Sequence, residues 1–471
     1  MEHSRQFLIC KQKLLKSNIR CFELHNGFYL NYHKDLSFKV SRCNNNILLG
    51  HAFKSLPGSI AKDLNILTER NISSVTSDWS GRWLLIVKDI LYLDASGMLG
   101  CYYGKHQGKL VVSSSLSLMA ESFDFKLRND YEDISFGNPM NWFPPPLTIF
   151  HGVRKLLVGY CLPIYEAKIL PVAIRKSDFD QLNQDEIFSE LAKRLKEIIA
   201  NISSEFGKEV YLPITGGYDS RTLLSAFLAD KLPFTAFLFG HDHLSFADNN
   251  IPNKLADKHN FTLFLIDRLG EFNLNMYRKY KMHSAGQAAD AGVLFYSYGQ
   301  YEPLSKLSNA KNKVIIRGGI WEVGRKKYTT SGINESLTCE KEILVNLEQN
   351  FPIIRQSNLH KESIKQWISH TKKTHSVLGF GDRFYLEQRV SGWLSSLEQA
   401  ADITDFERIH PANCQDIIEL LSLAQCHPQP KIIARLAPEL LETQFNPKSL
   451  LELPYRLYNY LRRRYMQIRS S

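Results

Sequence analysis

Residues 209–229 read Glu209-Val210-Tyr211-Leu212-Pro213-Ile214-Thr215-Gly216-Gly217-Tyr218-Asp219-Ser220-Arg221-Thr222-Leu223-Leu224-Ser225-Ala226-Phe227-Leu228-Ala229. An apolar run stops at Thr215-Gly216-Gly217-Tyr218-Asp219-Ser220, and a helical pattern starts at once. The two glycines let the backbone turn tightly and approach a ligand closely. The N–H groups that open the next helix then face that ligand, which suits an anion. An aspartate in a phosphate cradle needs a cation to hold, and Mg²⁺ on a nucleotide is the usual one. Thr215 and Ser220 add hydroxyl donors. The corner therefore has the chemistry of a pyrophosphate–Mg²⁺ grip. A strand–turn–helix corner without a ligand is the competing reading.

Outward from this corner, strands and helices alternate. Asn183 with Glu186 three positions on marks a helix start, and Ile187, Leu191, Leu195, Ile198 and Ile202 predict a helix over 185–204. After the corner the pattern predicts a helix over 220–230, a strand over 234–239 ending at Gly240, a helix near 247–259 and a strand over 261–266. A later apolar run, 313–319, carries a second glycine pair, Gly318-Gly319. Such alternation predicts a doubly wound parallel sheet. Ligands bind such sheets at the carboxyl ends of the strands, where Thr215 and Gly240 fall. From about 335 onward the chain reads mainly helical.

Residues 1–170 read as β-rich. Phe7-Leu8-Ile9-Cys10, the runs 83–88 and 90–93, Lys109 to Ser113 and Tyr160 to Tyr165 are strand candidates, and 138–148 is an irregular proline-rich stretch. The length of 471 residues predicts two domains, 1–170 and 180–471. An apolar share of 44% and a charged share of 23% fit a folded soluble protein. No segment approaches the ~18–20 apolar residues of a membrane span, and the N-terminus lacks the apolar core of a secretory signal. Eight scattered cysteines without a Cys-X-X-Cys pair argue against zinc and disulfides, so reduced thiols and a cytoplasmic location are expected. Part of the net charge of +10 sits in Arg456, Arg462, Arg463, Arg464 and Arg469 among tyrosines. This is either a surface for nucleic acid or anionic membrane, or a solvated, frayed tail.

The corner resembles the PP-loop of ATP pyrophosphatases, Ser-Gly-Gly-X-Asp-Ser, with Thr215 in place of the first Ser. The order of a β-rich half, a PP-loop and a helical end is similar to the asparagine synthetase family. Ser80-Gly81-Arg82-Trp83 through Asp94, Tyr102-Tyr103, Val112-Ser113-Ser114 and Gly152 through Tyr160 resemble its glutaminase-type domain. The resemblance implies an α/β protein: an αββα glutaminase-like (Ntn-type) domain, then a doubly wound PP-loop (HUP-like) domain with a helical C-terminal part. Family members that hydrolyse glutamine carry a cysteine directly after the initiator methionine. Here that residue is Glu2, and a carboxylate cannot replace a thiolate nucleophile. Cys10 reads as core filler. Glutamine hydrolysis is therefore not expected, and the nitrogen comes from ammonia, an amine or an ammonia-supplying partner. The same layout resembles amide-forming relatives such as lasso-peptide cyclases, and synthetase-like proteins of polysaccharide pathways.

The family's Gly-Glu-Gly-X-Asp-Glu segment matches Arg317-Gly318-Gly319-Ile320-Trp321-Glu322-Val323-Gly324-Arg325, with one alignment putting Trp321 on the aspartate. Glu322 is then the residue left to ligate a metal. Arg408-Ile409-His410-Pro411 resembles the Arg-X-Pro segment, and Lys431 with Arg435 resembles Lys-X-X-Leu-Arg, whose lysine meets the pyrophosphate or acyl-adenylate. Asp382, Glu387 and Arg389 are further candidates to face the site. The resemblance implies an ATP-dependent, AMP- and pyrophosphate-forming ligase that adenylates a carboxylate and forms an amide. Its cofactors are ATP and Mg²⁺, and its acid is a small molecule or a peptide carboxylate. ATP contacts fall to Thr215, Gly216, Gly217, Asp219, Ser220, Phe239, Gly240, Gly318 and Gly319, and Mg²⁺ to Asp219 and Glu322. Glu322, Lys431 and Arg435 are the catalytic candidates. A nucleotide-binding scaffold without chemistry and a PP-loop enzyme acting on tRNA are the alternatives. Scattered cysteines and a β-rich first half speak against the second, and nucleic acid is not the expected partner.

Overall fold

The computed structural model describes residues 3–43, 45–128, 140, 142–166, 168–173, 175–240, 245–266, 275, 283, 303–310, 312–374 and 376–447. Glu2, most of the stretch 138–148's first half and the basic tail lie outside these.

Period-2 alternation builds the first half. In Phe7–Cys10, Phe7 and Ile9 enter one core while Leu8 and Cys10 enter another. Strands Ile47–Lys54 and Trp79–Val87 split likewise. Ile47, Leu49, Leu84 and Ile86 join Phe7 and Ile9, whereas Leu48, Trp83 and Leu85 face outward onto other apolar groups. A strand apolar on both faces belongs to a sheet covered on both sides. Two six-stranded antiparallel sheets result. Their inner faces share one core. Helix Leu116–Ser122 covers the outer face of one, and helices Ile60–Ile66 and Ile72–Val75 that of the other. This is the expected αββα layering. The hairpin from Trp79–Val87 to Ile90–Leu93 turns on Lys88 (φ 46°) and Asp89 (φ 63°), the two left-handed residues of a tight β-turn.

The second half holds a five-stranded parallel sheet: β1 Val210–Pro213, β2 Thr235–Phe239, β3 Leu263–Ile266, β4 Lys313–Ile316 and β5 Phe406–Ile409, in the order β3-β2-β1-β4-β5. Helix α1, Gln184–Phe206, opens with the Asn183/Glu186 capping box and buries Leu191, Leu195 and Ile198 against the sheet. Helices α2 Tyr218–Ala229 and α3 Phe246–His259 return the chain from β1 to β2 and from β2 to β3. The strand order reverses between β1 and β4, so a crevice opens outside their carboxyl ends. Helices α4 Gln415–Leu423 and α5 Pro428–Leu436 follow β5.

From 335 onward the described chain is mainly helical, as expected, with β5 as a strand that the pattern did not show. Its four residues include Glu407 and Arg408, both buried, so no apolar alternation marks it. Both charges are paired. Glu407 accepts from Arg5 Nε at 2.5 Å, and Arg408 Nε lies 2.7 Å from Glu398. Arg82 meets Asp402 through both terminal nitrogens at 2.6 and 2.7 Å. The two halves of the chain thus meet across buried pairs, Arg5 with Glu407 and Arg82 with Asp402, in which each charged group has a partner.

Candidate active site

The first corner follows β1. Thr215 Oγ1 and Ser220 Oγ are 2.9 Å apart, and the Thr215 N–H donates to Ser220 Oγ at 3.1 Å. These bonds close the loop on itself. Gly217 is the N-cap of α2 and has no side chain to cap it. The first-turn N–H groups of α2 therefore lack their usual acceptor, which suits an incoming anion. Gly216 is built differently from the expectation. Its N–H donates to Asp248 Oδ1 at 2.8 Å instead of pointing toward a ligand. A Cβ on Gly216 would stand 2.7 Å from Ala247 Cβ, so the glycine exists here to let the loop touch the start of α3. Asp248 was missed in the sequence. Its signal is the Ser245-X-X-Asp248 pair, which forms an N-cap with Ser245 accepting from the Asp248 N–H at 3.0 Å.

The second corner follows β4. A Cβ on Gly318 would lie 3.0 Å from Asp219 Cβ, and one on Gly319 would lie 2.5 Å from His410 Nδ1. Both glycines are therefore places of close approach between elements. Ile320 has φ 80°, a left-handed conformation that a β-branched residue avoids. Tyr385 holds it there: its hydroxyl accepts from the Ile320 N–H at 3.3 Å and donates to Glu322 Oε2 at 2.7 Å. Trp321, next in the chain, is fully buried in the core.

The two corners converge. Arg325 Nη2 lies 3.2 Å from Asp219 Oδ2 and 3.4 Å from Glu322 Oε1. Asp219 Oδ1 also accepts from Gln429 Nε2 of α5 at 2.9 Å. Burial raises the Asp219 carboxyl above the ordinary range; Arg325 pulls it back, and the Glu322 charge pushes it up again. Mg²⁺ is usually held by one or two carboxylates together with substrate phosphates. Asp219 and Glu322 offer that set, with Arg325 as the charge that now balances them. Among the described residues no group of three or more His, Cys, Asp or Glu is placed to hold a metal on protein ligands alone.

The remaining candidates divide. Phe239 ends β2, and Gly240 donates to the Ile266 carbonyl at 2.9 Å, so both sit at the carboxyl edge of the sheet. Lys431 is exposed on α5, two residues past Gln429. Arg435 is a correction. It turns to the start of α1, donating to Ser189 Oγ at 3.1 Å and pairing with Asp185. One turn of helix beyond Lys431, it faces a neighbouring helix and not the crevice. Asp382 and Glu387 are also occupied elsewhere, by Lys326 at 2.7 Å and by Arg383 at 2.7 Å. Cys10 is buried, its thiol pushed up by burial, as core filler should be. All eight cysteines are unpaired.

Beside the two corners lies a cavity of about 320 Å³, lined by Arg317, Glu322, Lys327, Tyr385, Arg389 and Trp393 among others. A strap covers the other side of the loop. The Asn446 N–H donates to the Gly216 carbonyl at 3.0 Å, and the Phe445 ring stacks on Tyr218 at 4.1 Å. The buried Arg221 guanidinium donates to the carbonyls of Leu440, Thr443 and Gln444.

No helix among the described residues is long and apolar enough to cross a membrane. No family model matches the chain. No curated protein matches it either. Among solved structures, the glutamine-dependent NAD+ synthetase from Acinetobacter baumannii in complex with ADP is similar over 40% of this chain and 38% of its own, at 16% identity and a TM-score of 0.24. The NH3-dependent NAD synthetase from Campylobacter jejuni is similar over 41% of this chain and 82% of its own, at 17% identity and a TM-score of 0.19. The NMN synthetase from Francisella tularensis gives 53%, 97%, 12% and 0.20 in the same order. The chain thus spans well under half the length of the first of these. At such scores the chemistry of the site follows from its own residues.

Proposed function

We propose that the chain is an ATP-dependent, AMP- and pyrophosphate-forming ligase that activates a carboxylic acid and passes it to ammonia or an amine, in the manner of asparagine synthetases. The observation that carries this is the convergence of Asp219 and Glu322, from two glycine-paired corners, on one cation at the carboxyl ends of β1 and β4.

In this scheme the open first turn of α2, with Thr215 and Ser220, faces the β- and γ-phosphates, while Phe239, Gly240, Gly318 and Gly319 border the rest of the nucleotide. Asp219 and Glu322 would hold Mg²⁺, which supplies positive charge against that gathering on the phosphates. The chain's own work is positioning and charge balance, and no protein nucleophile is needed. Arg325, now bridging the two carboxylates, is free to turn to a phosphate once another cation sits between them. Lys431, exposed near the Gln429–Asp219 contact, meets the departing pyrophosphate. The half spanning 1–170 serves as a support domain for the 180–471 synthetase domain.

The test is substrate-dependent exchange of labelled pyrophosphate into ATP, with Asp219→Ala as control. The expected outcome is exchange with some acid and a loss on the order of a thousandfold in the variant. Exchange that survives Asp219→Ala ends the proposal. Tight ATP binding with no exchange over a broad acid panel would favour a silent nucleotide-binding scaffold.

A further inference from the structure

The cavity beside the corners is walled by an uncommon element. Residues Phe384–Leu394 wind as a π-helix, with the Ser395 N–H reaching the Val390 carbonyl five residues back. Helices of this kind are rare, mostly single turns, and frequent at functional sites. The wide winding gathers Tyr385, Arg389, Val390, Trp393 and Leu394, all of which line the cavity, onto one face. Arg389 is the centre of that face. Its guanidinium carbon lies 4.3 Å from the Trp393 ring centroid and 5.4 Å from that of Trp142. Indole rings near its faces leave the in-plane fork of N–H groups for an anion, the geometry in which arginine grips a carboxylate or phosphate with two bonds. No described carboxylate makes an ion pair with it.

The charge balance of the lining points the same way. Arg317, Lys327 and Arg389 face one acid, Glu322. Glu322 is already engaged by Tyr385 and Arg325. Glu398 answers Arg317 at 3.5 Å, yet it is shared with Arg408 at 2.7 Å and His410 at 3.0 Å. Lys327 and Arg389 make no ion pair with any described carboxylate, which leaves one positive charge more than a single carboxylate, presented to ATP for activation, would neutralise. An ammonium group on the same substrate would meet these cations at close range, where like charges repel.

We propose that the acid accepted by this cavity carries a second anionic group, gripped by Arg389 and Lys327, and no ammonium group. The proposal rests on the ligase reading for the role of the acid, though not for its binding. Titration calorimetry of the full chain with glutarate, pentanoate and glutamate, each with and without ATP, tests it. Glutarate is expected to bind at least tenfold more tightly than either of the others. Arg389→Gln should weaken glutarate about tenfold and leave ATP unchanged. Lys327→Gln, at an exposed position that does not endanger folding, should weaken it severalfold. Equal binding of pentanoate or of glutamate overturns the proposal. So does an absence of glutarate binding, or a loss in Arg389→Gln that falls on ATP instead. Pyrophosphate exchange run in parallel separates the two claims. Glutarate binding with no exchange for any acid removes the ligase and leaves the pocket. Exchange driven equally by pentanoate removes the pocket and leaves the ligase.

Discussion

The corner at 215–220 and the corner at 317–322 do similar things by different means. Each follows a short buried strand, each carries a glycine pair in which Gly216 of the first and both glycines of the second allow close approach, and each delivers one carboxylate to Arg325. The first is closed mostly from within, by bonds between Thr215 and Ser220, five positions apart. The second is held from outside, by a tyrosine hydroxyl 65 positions beyond Ile320 and 63 beyond Glu322. A site element whose bonds are local shows itself in a short stretch of sequence. One whose bonds are tertiary shows only its endpoints.

The largest effect should come from breaking the first corner at its one tight contact. A methyl at Gly216 would stand 2.7 Å from Ala247 Cβ and 3.0 Å from the Ala247 carbonyl carbon, so backbone must move. Gly216→Ala should cost about 1–3 kcal/mol in denaturant unfolding, and a displaced loop should lower exchange by a hundredfold or more. Gly217→Ala is the matched control. Its φ is −86°, and its nearest neighbour would be Thr215 Oγ1 at 3.5 Å, an ordinary contact. The control should fold with wild-type stability. Equal damage from both would show that the loop tolerates no side chain at all, and the Ala247 contact would lose its meaning.

The second corner should fail more gently. Tyr385→Phe keeps the ring, which packs in the core, and removes the hydroxyl that joins Ile320 to Glu322. The loss of two bonds at a buried site should cost about 1–3 kcal/mol. With its partner gone, Glu322 should drift, and exchange should fall roughly 10–100-fold through the rate and not through ATP affinity. Unchanged exchange would mean that Glu322 is positioned by Arg325 alone.

These differences explain what the chain disclosed. The αββα layering was expected only from the resemblance, whereas the apolar run from Phe7 to Cys10, the capping box at Asn183 and the strand–glycine–helix break at 213–218 are local, so these elements were legible. β5 was not, because Glu407 and Arg408 are buried as ion pairs and imitate surface residues in composition. Gln429 was not, because an amide on a helix has no pattern until the helix is placed against the loop, and the Ser245-X-X-Asp248 pair marks a helix start without showing which loop Asp248 meets. Ile320 illustrates the limit best. Isoleucine in sequence argues against a left-handed turn, and only the backbone reveals its φ of 80°. Side-chain volume in the core and the Tyr385 bond together outweigh a strain of about 1–3 kcal/mol.

A third kind of support is electrostatic and should tilt with pH. His51 Nδ1 lies 2.9 Å from Glu205, and its Nε2 lies 3.7 Å from Glu407 on β5. Burial works against its charge, but hydrogen bonds to Glu205 and Glu407 hold the proton, and its pKa rises to about 9. Arg5 also faces Glu407, and Lys39 faces Glu205. The folded value lies above the unfolded one of about 6.5. The stabilisation is therefore complete below 6.5 and fades as pH climbs toward 9, by at most about 3 kcal/mol. Urea midpoints measured from pH 6 to pH 9.5 should fall for the wild type more steeply than for His51→Gln. Parallel slopes would mean that His51 is neutral in the fold.

The smallest effect separates two residues of one helix. Gln429 and Arg435 both belong to α5, and the sequence pattern favoured the arginine. In the structure Gln429 is fully buried and reaches Asp219, while Arg435 is partly exposed and pairs with Asp185, itself 83% exposed at its side chain. An exposed pair of this kind contributes little, because water competes and salt screens it. Arg435→Ala should therefore leave exchange within about twofold and stability within ~0.5 kcal/mol. Gln429→Ala removes a hydrogen bond to an ionised carboxylate, a class of bond worth about 1.5–3 kcal/mol, and should lower exchange about tenfold. Reversal of these two outcomes would move the catalytic face of α5 by most of a turn. The convergence of Asp219 and Glu322 would then need a different third wall.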